Sequence, residues 1–257
     1  FSFNAGRGLL ATVFLFALDF IKSKYFVKDK SKFGKGDKGI LMKTGVLCGI
    51  MLYISNYLQQ LGLKYTTVGK SGFITSLYVV IVPLISTFLG RKSNIRIWLS
   101  VVLAAFGLYL LSITGETGIN AGDVLTFFCA IAFSIYIIIV DKYAYLVDGI
   151  RLSCIQFFVL FILSLISAMI FENVEFKSYI NAFWPLAYAG ILSSGVAYTL
   201  QIIAQKNTDP TSASLIMSLE SVFALIAGML FLNQFFNMRE ALGSVMVFVA
   251  IILSQLS

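Results

Sequence analysis

The amino-acid sequence predicts an all-α polytopic membrane protein. Of its 257 residues, 59% are hydrophobic, which is well above the apolar share of water-soluble globular domains. Runs free of Asp, Glu, Lys and Arg recur along the chain, and most approach the roughly 20 residues that a helix needs to cross about 30 Å of hydrocarbon. These runs are continuously apolar and do not alternate every second residue, so they favour helices over the strands of a membrane barrel.

Nine spans are predicted in chain order. The first carries Arg7 and Asp19 and precedes a lysine-rich loop of 17 residues from Lys22 to Lys38. The spans without charge are Thr44–Leu63, Ser71–Gly90, Ile97–Gly115, Val124–Val140, Leu152–Phe171, Ser178–Gln205 and Ala241–Ser257. The remaining span, Thr211–Asn233, contains a single charge, Glu220. The lysine-rich loop is the longest polar stretch, so the sequence leaves no room for a water-soluble domain between spans.

The basic residues are distributed asymmetrically when the nine spans are drawn in alternating directions. Fourteen of the 19 fall on the side of the lysine-rich loop, and the other side holds Arg7, Lys64, Lys70, Lys177 and Arg239. Positively charged loops remain in the cytoplasm, so we expect this loop and the C-terminus there, in a bacterial-type plasma (inner) membrane. Loop asymmetry explains the net charge of +7; the lipid bilayer is an expected partner and nucleic acid is not.

Several kinds of chemistry are excluded by composition. The chain has no histidine, which removes histidine metal ligands and histidine general bases. The cysteines, Cys48, Cys129 and Cys154, all lie in predicted spans, where they act as small apolar residues. We therefore expect no cofactor, no metal site and no enzymatic activity.

An internal repeat indicates how the spans are organised. The stretch from Leu58, LQQLGLKYTTVGKSGFITSLYVV, aligns without gaps at an offset of 142 with the stretch from Leu200, LQIIAQKNTDPTSASLIMSLESV. The predicted repeats cover residues 1–115 and 121–257, and the register implies that the first repeat lacks its opening helix. The complete protein would then have ten helices in two five-helix repeats. An odd helix number inverts the second repeat, an arrangement that recurs in secondary transporters.

Three stretches resemble the EamA group of the drug/metabolite transporter superfamily. They are Phe3-Asn4-x-x-Arg7, TSLYVVIVPLISTFLGRK (Thr75 to Lys92) and SLESVFALIAGMLFLNQ (Ser218 to Gln234) followed by Gly243. The resemblance covers essentially the whole chain. It implies ten helices in two inverted halves, cytoplasmic termini and transport of small metabolites. The sequence departs from the family pattern in lacking helix 1 and in having Gln234 where an acidic residue is usual.

Glu220 leads the candidates for a substrate pathway, because an ionisable group within a span is costly and usually functional. Its aligned position in the first repeat is Tyr78. Glu220 is suited to bind a substrate amine or to take up a coupled proton. Alternatively, Glu220 has a structural role, in which it is protonated or hydrogen-bonded to neighbouring hydroxyls and helix ends. The family resemblance favours this alternative, because it implies an acidic residue at this position whatever the substrate.

Besides Glu220, two stripes of polar residues are candidates for the substrate pathway. In each stripe the residues are three or four positions apart, so they share a helix face. One consists of Tyr53, Asn56, Gln59 and Gln60; the other consists of Ser194, Tyr198 and Gln201. Either they line the pathway as related walls, or they hydrogen-bond between helices. Further candidates are Arg7, which either attracts a carboxylate or extends to the headgroups, and the weaker lining residues Tyr136 and Gln156. Gly45-x-x-x-Gly49 indicates close helix packing.

The sequence therefore predicts a secondary transporter, permease or exporter, of small metabolites such as amino acids, working by alternating access at a central cavity. Two alternatives are retained: a non-transporting receptor or assembly subunit, and an intramembrane lipid-modifying enzyme. The enzyme would need paired carboxylates or a metal cluster at membrane depth, whereas the acids here are scattered among the spans. Proton coupling through Glu220 is the coupling hypothesis, and a small-molecule substrate is the expected ligand.

Overall fold

A computed structural model describes residues 1–25, 37–91, 94–112, 120–172, 179, 182–232 and 238–256. The middle of the lysine-rich loop, residues 26–36, and Gln234 lie outside these ranges. Within them the chain is almost entirely helical and contains no strand, which confirms the all-α membrane class.

The helices are numbered here in chain order. They are α1 (Ser2–Tyr25), α2 (Asp37–Gly62), α3 (Val68–Ser76), α4 (Tyr78–Phe88), α5 (Ile95–Ser112), α6 (Ala121–Tyr143), α7 (Gly149–Phe171), α8 (Phe183–Ala187), α9 (Tyr198–Gln205), α10 (Pro210–Met217), α11 (Leu219–Leu232) and α12 (Met238–Gln255). A 3₁₀ turn, Ala144–Leu146, follows α6, and a π-helical segment, Tyr188–Ala197, joins α8 to α9. Seven described stretches are long and apolar enough to cross a membrane, and Ile95–Leu111 is a shorter apolar helix. The total of nine spans stays a prediction.

The chain forms two compact units that interleave along the sequence. The first unit contains residues Phe1–Asn56 and Ile139–Asn207, and the second contains Tyr57–Ile138 and Thr208–Ser257. Each unit therefore takes helices from both predicted repeats. The repeat boundaries at 1–115 and 121–257 describe sequence similarity and stay a prediction.

Glycines set the helix packing of the first unit. A Cβ added at Gly45 would lie 2.5 Å from Ile155 Cγ2, and one added at Gly49 would lie 2.6 Å from Val159 Cβ. Both distances are far below van der Waals contact, so α2 approaches α7 only because these positions lack side chains. The close packing predicted from the Gly45-x-x-x-Gly49 spacing is confirmed.

Two ion pairs join α1 to the start of α7. Lys22 Nζ lies 2.6 Å from Asp148 Oδ2, and Arg151 Nε lies 3.0 Å from Asp19 Oδ1. Asp148 is also the N-cap of α7 and accepts hydrogen bonds from the N–H groups of Ile150 and Arg151. Burial raises the pKa of Asp148, but the Lys22 ammonium and these N–H donors outweigh it and hold the pKa below its ordinary value.

Exchanging Asp148 for asparagine tests this pair, because asparagine can still cap the helix but carries no charge. A carboxylate with a lowered folded-state pKa stabilises the protein above its unfolded pKa, about 3.9, and loses that contribution as pH falls through the folded value. We therefore expect Asp148→Asn to cost up to about 1 kcal/mol at pH 7 and to flatten the decline of Tm below about pH 4. Asp19→Asn, at the more exposed pair, is the control and is expected to change Tm less.

The second unit has a buried ion pair at the junction of α2, α3 and α6. Lys70 Nζ lies 2.6 Å from Asp123 Oδ2, and Thr66 Oγ1 donates to Asp123 Oδ1 at 2.6 Å. Asn120 and Asp123 cap the start of α6 by exchanging two hydrogen bonds of 2.9 Å. Because a buried carboxylate needs such partners, Asp123 fixes how the α2–α3 turn meets α6.

Two helices of the second unit are interrupted by a single residue. Leu77 separates α3 from α4, and Ser218 separates α10 from α11. The offset of 142 aligns Leu77 with Leu219, so the two interruptions lie one residue apart in the repeat alignment. At both positions the backbone keeps helical dihedral angles and the N–H groups of Leu77 and Ser218 bond to carbonyl oxygens of the preceding turn, so each interruption is a local irregularity of the hydrogen-bond pattern.

Candidate functional site

The most unusual backbone of the first unit is its π-helical segment, Tyr188–Ala197, which is ten residues long. A π-helix pairs residues five apart, and most examples are single turns near functional sites. Two glycines, Gly190 and Gly195, stand five residues apart within it. The segment therefore combines a rare hydrogen-bond register with small residues at the spacing of that register.

Helix α1 packs directly on this segment. A Cβ added at Gly190 would lie 2.7 Å from Leu10 Cβ and 3.1 Å from the Arg7 carbonyl oxygen. One added at Gly195 would lie 2.7 Å from Phe14 Cδ1. Both glycines thus face α1. In an α-helix, residues five apart would point about 140° away from each other, so the π register is what allows both close approaches.

Helices α7 and α9 pack side by side next to the π-helical segment. The rings of Phe157 and Tyr198 meet edge to face, with their centroids 5.5 Å apart. About two turns earlier on α7, a Cβ at Gly149 would lie 3.0 Å from Ile203 Cγ1. Ser153 lies between these two contacts along α7, on the face that is buried.

Six side chains of α7, α9 and the π-helical segment have buried polar atoms without hydrogen-bond partners; Gln201 and Gln205 on α9 are two of them, and the other four are considered together. Gln156, Ser153 and Ser194 are 0% exposed and Thr199 is 6% exposed, and the atoms concerned are both amide atoms of Gln156 and the hydroxyl oxygens of the other three. We call Ser153, Gln156, Ser194 and Thr199 the polar cluster. None of its members is charged, and their side chains offer both donors and acceptors.

The structure separates the predicted site residues into two sets. The first unit contains Arg7, Tyr53, Asn56, Gln156, Ser194, Tyr198 and Gln201; the second contains Gln59, Tyr78, Tyr136 and Glu220. The stripe predicted on α2 is thus divided between the units after Asn56.

Some members of the first set already have protein partners. The Tyr53 hydroxyl hydrogen-bonds to Ser167 on α7, and Asn56 Nδ2 donates to the Leu52 carbonyl at 2.7 Å. The Tyr53 contact joins two helices, as the packing alternative for the stripe expects, whereas the Asn56 contact lies within α2. By contrast, Arg7 Nε and Gln201 Nε2 are buried without a partner.

In the second unit, two predicted residues pack around one ring. Tyr78 and Tyr136 lie 5.4 Å and 5.6 Å from the centroid of Phe133, and both are nearly fully buried. Gln59 Nε2 donates to Thr75 Oγ1 at 3.3 Å. Hydrogen bonding between helices was the alternative kept for the stripe that contains Gln59, whereas the sequence did not indicate the aromatic contacts of Tyr78 and Tyr136.

Glu220 lies in the first turn of α11, directly after the interruption at Ser218, and its side chain is exposed. The backbone at Ser218 keeps helical dihedral angles and its N–H bonds to carbonyl oxygens of α10, and the N–H of Ser221 bonds to Ser218 O at 3.2 Å. The backbone therefore continues from α10 into the turn that contains Glu220. Glu220 belongs to the second unit, whereas the residues of the polar cluster belong to the first.

Sequence reasoning missed Ser153 and Thr199. Ser153 was identifiable by spacing, since it lies three residues before Gln156. Thr199 directly follows Tyr198 and lies five residues after Ser194, so helical spacing did not indicate it. Among the described residues, the acidic and cysteine side chains do not form a group that could hold a metal ion.

Comparison with known proteins shows similarity to a transporter family and to individual transporters. The model of the EamA-like transporter family matches residues 1–113 and 120–256. An uncharacterized transporter of Archaeoglobus fulgidus is 33% identical over 257 residues, which is 100% of this chain and 77% of that protein. The uncharacterized transporter YoaV of Bacillus subtilis is 24% identical over 254 residues, covering 95% of this chain and 83% of its own. One crystal structure superposes with a TM-score of 0.80 at 15% identity, covering 99% of this chain and 86% of that one, which shows a shared fold.

Proposed function

We propose that this chain, which belongs to the EamA-like transporter family and is a membrane transporter, carries small polar metabolites such as amino acids through its polar cluster. The observation that carries the proposal is the amide of Gln156, which is fully buried and has neither of its polar atoms hydrogen-bonded.

A buried amide without hydrogen bonds lowers the stability of the folded protein. Leaving a buried donor or acceptor unpaired costs about 1–3 kcal/mol, and within hydrocarbon there is no water to offset it. Three hydroxyl-bearing side chains of α7, α9 and the π-helical segment are in the same condition, namely Ser153, Ser194 and Thr199. A solute that hydrogen-bonds to several of them recovers this energy. The absence of charge in the cluster favours the neutral polar part of a metabolite as the bound group.

Alternating access is the mechanism we propose. The polar cluster would be exposed first to one side of the membrane and then to the other. The change in exposure would come from a conformational change of the predicted inverted repeats. The two family matches, residues 1–113 and 120–256, meet where the sequence predicts the junction of the repeats. The near-equivalent interruptions at Leu77 and Ser218 also support repeats. We further propose a plasma-membrane location with a cytoplasmic C-terminus, which the distribution of basic residues supports.

Solute flux tests the proposal. The full-length protein would be reconstituted in liposomes and offered a pool of labelled amino acids, with and without an imposed pH gradient. We expect saturable uptake of at least one pool member above that of protein-free liposomes. Absence of uptake for every member would refute amino acids as substrates.

Proton coupling has its own test at Glu220. Glutamine has nearly the same shape as glutamate but cannot take up a proton, so we expect Glu220→Gln to abolish the stimulation of uptake by a pH gradient. Exchange of solute at equal pH on both sides is expected to persist, because it needs no net proton movement. A Glu220→Gln protein that retains full stimulation would show that another group, or no proton, couples transport.

A further inference from the structure

Most serine and threonine hydroxyls with a hydrogen bond in the regular helices donate to a carbonyl oxygen of the preceding turn. Ser23, Ser214 and Ser254 donate to the carbonyl oxygen three residues earlier, at 2.8–2.9 Å. Eight others donate to the carbonyl oxygen four residues earlier, at 2.7–3.0 Å, and they are Thr12, Ser76, Thr87, Ser100, Thr126, Ser134, Ser167 and Ser244. This bond is the usual way to satisfy a hydroxyl inside a helix, and it lets these side chains lie in a membrane without any other partner.

Ser194 and Thr199 depart from the pattern. Their hydroxyl oxygens are buried and without a partner. The carbonyls four residues before them belong to Gly190 and Gly195, both of which lie in the π-helical segment. Because a π-helix pairs residues five apart, its wider turn displaces the carbonyl that an α-helix would place within reach. The register accounts for both orphaned hydroxyls, although it does not account for Ser153 in the regular helix α7.

The same register is held by tertiary packing. Gly190 faces Leu10 and Gly195 faces Phe14, and an α register would turn one of these glycines away from α1. In an α-helical form of the segment both hydroxyls would have a hydrogen-bond acceptor. The Ser194 hydroxyl would then reach Gly190 O, and the Thr199 hydroxyl would reach Gly195 O. The segment thus has two hydrogen-bonding arrangements that differ in whether two hydroxyls are available.

We propose that Ser194 and Thr199 are solute-binding residues and that Tyr188–Ala197 changes between π and α registers during transport. In the π register the two hydroxyls are released to bind a neutral hydrogen-bonding group of the solute. In the α register they bond to Gly190 and Gly195 and the site is empty. The inference rests on the proposed function, because it couples binding of the solute to a conformational change of the helix that contacts it.

A pair of alanine substitutions tests the availability of the Ser194 hydroxyl. Ser194→Ala removes an unpaired hydroxyl, so we expect its Tm to rise by about 2–4 °C and its amino-acid uptake at limiting solute concentration to fall at least tenfold. Ser100→Ala is the matched control, since Ser100 is equally buried and donates to Arg96 O at 2.9 Å. Its Tm is expected to stay equal or fall, with uptake unchanged. A Ser194→Ala protein with a lowered Tm or with normal uptake would overturn the proposal.

Deletion of Leu192 tests the register itself. Leu192 is 54% exposed, and removing one residue converts pairing over five residues into pairing over four. We expect the deletion variant to fold, to exchange the amide hydrogens of the segment more slowly and to lose uptake. Uptake at the wild-type level would overturn the switch. If the deletion variant fails to fold, the Tm comparison of Ser194→Ala with Ser100→Ala decides the proposal. The same comparison can be made if the wild-type protein transports no amino acid. That outcome would refute the proposed function alone.

Discussion

Replacing Gly243 with leucine is expected to prevent folding of the second unit, and replacing it with alanine is expected to lower stability by about 1–3 kcal/mol. A Cβ at Gly243 would lie 2.7 Å from the Gly107 carbonyl oxygen and 3.0 Å from Leu111 Cγ. The reciprocal Cβ at Gly107 would lie 2.8 Å from the Gly243 carbonyl oxygen. The obstacle on both sides is backbone, which cannot rotate away, so α5 and α12 would have to separate along their length.

Thermal unfolding in detergent measures this effect. Gly243→Ala is expected to lower Tm by roughly 2–10 °C, taking about 2–4 °C per kcal/mol for a chain of this size. Gly72→Ala is the control, because Gly72 also lies in a helix but has no atom within 4 Å of an added Cβ. There alanine should be neutral or stabilising through its helix propensity. An equal response of the two variants would show that the contact between α5 and α12 does not limit stability.

Sequence reasoning located the helices because hydrocarbon demands long apolar segments whose backbone groups are all paired. It also anticipated a close helix approach at Gly45 and Gly49, which recur at the spacing of one helix face, but the partner helix, α7, came from the structure. These features depend on local composition and period, which a single sequence displays directly. The family resemblance predicted from the stretches around Arg7, Thr75 and Glu220 was confirmed by the match of the EamA-like transporter family model to residues 1–113 and 120–256.

What the sequence did not reveal depends on contacts between distant segments. Ser194 was identified by its place in a stripe, but the π register that leaves its hydroxyl unpaired is held by Leu10 and Phe14 on α1. Tyr53 belongs to an equally clear stripe and nevertheless hydrogen-bonds to Ser167. Spacing therefore selects the residues of a face, whereas only the partners across that face distinguish a packing residue from one available to a ligand.

Gln156 is the residue for which this distinction predicts the largest effect on transport. Methionine has a similar length and no hydrogen-bonding amide, so Gln156→Met would remove two unpaired polar atoms from a fully buried position. We expect the variant to be more stable than the wild-type protein by about 1–3 kcal/mol. We expect the KM for the transported solute to rise at least tenfold, because a site built to hydrogen-bond a solute group loses that recognition.

Opposite changes in stability and affinity separate binding from packing at Gln156. A packing amide would give the reverse result for stability, since its removal breaks hydrogen bonds and lowers Tm while KM stays constant. Gln156→Asn refines the measurement because it retains the amide but withdraws it by one methylene; an intermediate KM is expected. Gln59→Met offers the matched comparison for stability, because the Gln59 amide donates to Thr75 Oγ1 and its loss should lower Tm. If Gln156→Met and Gln59→Met shifted Tm in the same downward direction, the Gln156 amide would be a structural group and the polar cluster would lose its principal ligand.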